Sequence, residues 1–140
     1  MSIFIFLKIC IVGGKLITKA EIEMMKDCYG LMYIIENSLR LSIAKGMELN
    51  YGSQWYTVAP KSEKLKPYRK SFHRLYFHEL IPFLVVYPCF TKTISKETIY
   101  LLRKLIPIRN KIAHNICLNK IEIELLNTLY INIEGMFMNS

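Results

Sequence analysis

"TKAEIEMMKDCYGLMYIIENSLRLSIAKGMEL", residues 18–49, is the stretch whose reading decides the fold. Apolar residues recur at Met32, Ile35, Leu39 and Ile43, the three- and four-residue steps that place side chains on one stripe of a 3.6-residue helix. Thr18 stands where a helix cap belongs, with Glu21 three residues later as its capping-box partner. The spacing predicts one long amphipathic helix. Gly30 is where it is expected to divide, because glycine inside a helix costs about 1 kcal/mol relative to alanine. Glu36 and Arg40 fall one turn apart on the polar face and are expected to pair.

The rest of the chain extends this helical pattern. Ser95, with Glu97 close behind, opens a second periodic stretch through Ile99, Leu102, Leu105 and Ile106. Pro107 is expected to kink or restart that helix, since proline lacks the backbone donor and crowds the previous turn. A last helix is predicted from about Asn119 through Ile121, Leu125, Leu129 and Ile133, with Glu122 and Glu124 where the helix dipole favours acids. "LIPFLVVYPCF", residues 80–90, is bounded by prolines and reads as a buried helical turn, with a short strand as the alternative. Four or five helices with short connections predict an all-α, up-and-down bundle spanning residues 18–140, with residues 1–17 an apolar strand or tail packed on it.

Composition sets the outer bounds. The chain has 140 residues, enough for one domain with a real core, and 52% of them are hydrophobic. No uncharged apolar run approaches the ~20 residues that span a bilayer, so no membrane association is expected. Nineteen Lys and Arg against eleven Asp and Glu leave a formal charge of +8, which favours anionic partners. Cys10, Cys28, Cys89 and Cys117 lie far apart with no C-x-x-C, the pattern of reduced thiols in a cytoplasmic protein. "MSIFIFLKICIVGG" has an apolar centre like a signal peptide, but it lacks a basic leader and a cleavage site, and Lys8 interrupts it. A start at Met24 or Met25 is the other reading of this region.

Two segments carry polar chemistry. "KSEKLKPYRKSFHR", residues 61–74, holds six basic residues and one acidic one. Pro67 suits the first turn of a helix that would bury Tyr68, Phe72, Leu75 and Tyr76 and display Lys66, Arg69, Lys70 and Arg74. Such a face is either simply solvated or a footprint for a phosphate backbone. Before it, "LNYGSQWYTVAPKS" reads as a loop that tucks Trp55 against the body, with base stacking as the alternative role. His73 and His78 have no acidic or thiol partner at ligand spacing, so no metal and no cofactor are expected.

The second segment is "RNKIAHN", residues 109–115, after the apolar run 101–108. Asn110 and His114 are four apart and share a helix face, while Arg109 and His114 differ by about 140° around the axis. Cations and asparagine are also what a helix C-terminus prefers, so spacing alone allows a plain helix end. "LLRKLIPIRNKIAHN", however, resembles the signature of the HEPN superfamily, whose ribonucleases carry R-x4-6-H, often as R-N-x-x-x-H, after an apolar helix. "IENSLR", "LYFHELI" and the closing helix are similar to HEPN domains of the abortive-infection and RNA-surveillance type, so the likeness spans roughly residues 28 to 135. Pro107, two residues before the arginine, departs from that pattern, and the first 25 residues have no counterpart in it.

The resemblance implies a helical homodimer that cleaves RNA without a metal, with Arg109 and His114 as the catalytic pair and Asn110 in support. The residue types suit that chemistry. An imidazole titrates near neutral pH and can serve as base or acid, and a guanidinium offers a fork of donors to phosphate oxygens. Glu36 and Arg40 are weaker candidates for shaping the site, and Lys66, Arg69, Lys70 and Arg74 for holding RNA. A defence, toxin or stress role would add an antitoxin or regulatory protein as partner. A non-catalytic module that binds RNA, a nucleotide or a partner protein is the alternative function.

Overall fold

The structure, a computed structural model, describes residues 11–12 and 15–137. A minimal antiparallel ladder comes first, β1 (Ile11–Val12) against β2 (Lys15–Leu16), with Ile11 opposite Leu16. Six helices follow among the described residues: α1 (Lys19–Tyr51), α2 (Trp55–Ser62), α3 (Phe77–Val86), α4 (Pro88–Thr91), α5 (Lys96–Ala113) and α6 (Lys120–Phe137). The all-α bundle expected from periodicity is what forms, with six helices where four or five were expected. Of the N-terminal extension, residues 1–10 lie outside the described residues.

α1 is the spine. Its 33 residues reach about 50 Å, and α2 to α6 all pack against it. Thr18 caps it as expected, its Oγ1 accepting from the Glu21 amide at 3.1 Å. Cys28, Met32, Ile35, Leu39, Ile43 and Met47 form the buried stripe. Gly30 does not divide the helix. Burial of an apolar side chain contributes roughly 1.5–3 kcal/mol, so the neighbours Cys28 and Met32 outweigh the ~1 kcal/mol cost of one glycine. The helix stops at Gly52, whose φ of +84° closes the last turn and whose amide donates to the Glu48 carbonyl at 2.8 Å.

Two expected interruptions are absent, and one expected helix is replaced. α5, capped by Ser95, runs unbroken through Pro107. Pro107 lies on the exposed face between buried Leu105 and Ile108, so water can take the carbonyl that loses its donor. The stretch expected as a loop around Trp55 is the short helix α2, because Trp55 is drawn into the core, its ring 5.0 Å from Phe72 and 6.3 Å from Phe83. Pro67, by contrast, starts no helix. Residues 65–71 are non-helical, and only Phe72–Arg74 make a turn of 3-10 helix before α3.

The physical reason lies in an aromatic stack. Tyr68 is held between Tyr56 at 4.6 Å and Phe83 at 5.2 Å, both near parallel. The Tyr56 hydroxyl donates to the Lys70 carbonyl, and the Leu65 amide to the Pro60 carbonyl at 2.8 Å. The first of these bonds and the closure of α2 by the second tie down the segment that a local helix would have needed. Phe72 and Leu75 are buried as expected, but Tyr76 is 52% exposed.

The closest packing on α1 is at Gly46, where an added Cβ would lie 2.7 Å from the ring of buried Phe90. Gly46→Ala is therefore expected to lower stability by roughly 1–3 kcal/mol through overpacking. Gly30→Ala meets open space and should raise stability by up to about 1 kcal/mol. Chemical denaturation of the two variants checks this, and opposite signs would overturn the placement of Phe90 on α1.

Candidate functional site

The C-terminal half of α5 carries "RNKIAHN", and its geometry divides the motif. Asn115 has φ +58°, the left-handed conformation that ends a helix, and its amide donates to the Ile112 carbonyl at 3.2 Å. The Ile116 amide reaches back to the Lys111 carbonyl at 2.8 Å, which completes a Schellman closure. Asn115 thus has a structural task. His114 is the cap residue, its amide bonded to the Asn110 carbonyl at 3.0 Å, and its side chain is exposed. Asn110, one turn back on the same face, is exposed too.

Arg109 turns the other way. Its Nε lies 3.7 Å from Oε1 of Glu36 on α1, with the two side chains 29% and 18% exposed. The expected Glu36–Arg40 pair is not what forms. Arg40 donates instead to the Asn37 side chain and to the Leu75 carbonyl, each at 2.9 Å, so it ties α1 to the chain entering α3. Glu36 Oε1 and Arg40 Nε are both buried without a hydrogen-bond partner. Glu36 of α1 thus faces Arg109 of α5 in a half-buried setting, where charge is felt more strongly than in water. Arg109 and Glu36 are brought together, Arg40 reaches to the chain before α3, and Asn110 and His114 stand apart on the solvent side.

The turn after the motif is braced by α6. Lys111 Nζ sits 2.9 Å from Oε2 and 3.0 Å from Oε1 of Glu122. Asn119 and Glu122 form a reciprocal cap, Glu122 amide to Asn119 Oδ1 at 2.9 Å and Asn119 amide to Glu122 Oε1 at 3.0 Å. Burial pushes the Glu122 carboxyl up, but the Asn119 amide and Lys111 outweigh it and hold it below the ordinary value. Next to this end of α5, Leu16, Ile22, Met25, Tyr29 and Ile112 line an apolar groove of about 710 Å³.

The basic segment lies elsewhere on the surface. Lys66, Arg69, Lys70 and Arg74 are all exposed. Lys70 is partly neutralised, 2.9 Å from Glu79 and 4.4 Å over the Tyr76 ring. The Lys70 hydrogen bond and the Tyr76 amide hold the Glu79 carboxyl below its ordinary value. Trp55 is core, not a stacking surface. His73 and His78 are exposed, and His78 stacks on Tyr76 at 5.9 Å. Among the described residues no three His, Cys, Asp or Glu side chains gather as a metal would need, and no helix is long and apolar enough to cross a membrane.

Sequence reasoning missed the partner of Glu36, which is 73 positions away in Arg109, and the hydroxyl pair Tyr68–Tyr87 beneath the basic segment. Neither has a local spacing signal. Comparison with protein-family models, curated proteins and solved structures finds no match.

The two lowered carboxyls make a pH prediction. A depressed folded pKa adds stability that is present above the unfolded value near 4.5 and is lost as pH falls through the folded value. The parent should therefore lose stability as pH drops below about 4.5, and Glu79→Gln with Glu122→Gln should flatten that loss. Urea midpoints between neutral pH and pH 3 read the difference, and equal slopes would remove these two groups from the acid response.

Proposed function

We propose that this chain is an endoribonuclease similar to the HEPN ribonucleases, cutting RNA by attack of a ribose 2′-OH on the adjacent phosphate. The observation that carries the reading is the half-buried Arg109, held 3.7 Å from Glu36 near Arg40, on the same helix end that presents His114 and Asn110 to solvent. Arg109 supplies donors to the phosphate oxygens as charge builds there. Glu36 is a positioning residue: it holds the guanidinium by charge, at a distance that leaves its N–H groups available to a phosphate. Arg40, with Nε unbonded, adds positive charge behind it.

The chemistry needs a base and an acid. The base takes the 2′-OH proton, the O2′–P bond forms, the P–O5′ bond breaks, and the acid returns a proton to O5′. His114 is the titratable group of the motif, and Asn110 on the same face helps to hold the phosphate or orient the imidazole. In one chain Arg109 and His114 point about 140° apart around α5, so two copies related by a dyad supply a base, an acid and two arginines to one cleft. The exposed Tyr29, Tyr33 and Ile116 near this end offer apolar surface for that homodimer. Lys66, Arg69, Lys70 and Arg74 extend the contact with the RNA backbone. Such an activity belongs to a cytoplasmic defence, toxin or stress response, held in check by an antitoxin or regulatory protein.

A second reading, a non-catalytic module that holds RNA, a nucleotide or a partner protein, is favoured by the structural tasks of two motif residues: Arg109 in an ion pair and Asn115 in the helix closure.

Purified parent is expected to cut a mixed RNA pool in EDTA and leave 2′,3′-cyclic phosphate ends, with DNA resistant. His114→Ala should reduce cleavage by at least a hundredfold, within the range that general acid–base catalysis supplies, at unchanged melting temperature. Arg109→Ala should come close to it. Cleavage by His114→Ala at the parental rate, or activity that requires a divalent ion, would leave the binding module as the function.

Salt dependence tests the basic face. On single-stranded RNA, log affinity should fall with log salt by roughly 0.7 per neutralised phosphate, and Lys66→Glu with Arg69→Glu should flatten that slope by more than one unit. An unchanged slope would make the segment a merely solvated face.

A further inference from the structure

Beneath the basic segment lies a groove of about 600 Å³ between residues 65–70 and α3, a size usual for a small-ligand pocket. Its walls are unlike those of the apolar groove at the end of α5. Leu65, Pro82 and Val86 give flat apolar surface, and Lys66 and Arg69 stand exposed on the rim. Tyr68 lines its floor, its hydroxyl hydrogen-bonded at 2.5 Å to that of Tyr87, which is buried at 1% exposure. Whichever of the two donates, the Tyr68 hydroxyl keeps either its proton or a lone pair for a ligand. The single acid of the groove, Glu79, is already satisfied by Lys70 and the Tyr76 amide. The rim is therefore net cationic.

We infer that this groove is a subsite for one nucleotide of a single-stranded RNA. The base lies against Leu65, Pro82 and Val86 with its polar edge on the Tyr68 hydroxyl, and the flanking phosphates meet Lys66 and Arg69. The inference rests on the RNA-binding part of the proposed function and not on cleavage. Both faces of Tyr68 are occupied, by Tyr56 and Phe83, so the tyrosine meets the base through its hydroxyl edge and no ring is free to stack on it. That arrangement asks for a flat ligand with a polar group on one edge and an anion beside it. A nucleotide has both. An acidic peptide would satisfy the rim but bring no planar polar edge to the floor, and a lipid surface would not enter a concave site.

The test uses the full chain and a labelled RNA hexanucleotide with 2′-O-methyl riboses, which cannot be cut by 2′-OH attack. An abasic strand of equal length and charge is the control. The parent should bind the base-bearing strand about tenfold tighter, the gain expected from burying roughly 55 Å² of apolar surface at about 25 cal/mol per Å². Val86→Trp fills the groove from a 38% exposed position, and Leu65→Trp does so from a 40% exposed one. Each should erase the tenfold advantage and leave abasic binding unchanged, and the second variant covers a folding failure of the first. Lys66→Glu should weaken both strands alike.

Equal affinity of the parent for the two strands would overturn the subsite. So would retention of the advantage in both filled variants, or displacement of the hexanucleotide by a poly-glutamate peptide or a mononucleotide at equal molar potency. On cleavable RNA the filled variants should raise KM with kcat unchanged, whereas His114→Ala should lower kcat. Base-dependent binding without any cleavage by the parent would sink the ribonuclease and keep the groove; cleavage with groove-independent binding would do the reverse.

Discussion

Everything in this molecule is hung on one face of α1. Six side chains at three- and four-residue steps, from Cys28 to Met47, are at most 4% exposed, and every other helix among the described residues touches the helix that carries them. A helix this long is not stable through propensity alone in water; it is held by the packing of its apolar stripe. The stripe also absorbs two local costs, the glycine at 30 and the glycine at 46, the second of which lets the Phe90 ring approach the backbone. Because α1 touches each of the other described helices, the polar residues on its flank become the natural meeting point of elements far apart in sequence. Glu36 and Arg40 sit there, one reaching α5 and the other the chain before α3.

The site inherits its geometry from helix ends. α5 stops because Asn115 adopts a left-handed conformation and the Lys111 and Ile112 carbonyls are taken by the following amides. α6 starts four residues later with the Asn119–Glu122 cap, and Lys111 clamps the same glutamate. The connection is therefore short and bonded at both ends, which fixes the backbone of His114 while leaving its imidazole in solvent. A rigid backbone under an accessible titratable group is the arrangement that positioned acid–base chemistry uses. The same order serves plain helix termination, which is why activity must be measured on the imidazole itself.

Charge has been distributed with equal economy. The excess of +8 is not spread as a uniform field; part is buried with Glu36, part cancelled by Glu79 and Glu122, and part left free on Lys66 and Arg69. The free part borders a groove whose floor is aromatic and hydroxylic. Electrostatic attraction and a shaped apolar surface in one place distinguish a binding region from a merely basic one.

The sequence alone determined what depends on nearest turns: the α1 stripe, the caps at Thr18 and Ser95, and the all-α class. These follow from 3.6-residue periodicity and from side chains that bond their own backbone three residues away, information that is complete within a dozen residues. The tertiary structure decided what depends on distant partners. Pro107 passes inside α5 because it faces outward, and Pro67 starts no helix because Tyr68 is claimed by Tyr56 and Phe83. Glu36 meets Arg109, not the Arg40 one turn away, and Tyr68 finds Tyr87 nineteen positions on. Pairings of that kind are set by which helix faces happen to pack together, and local spacing carries no record of them.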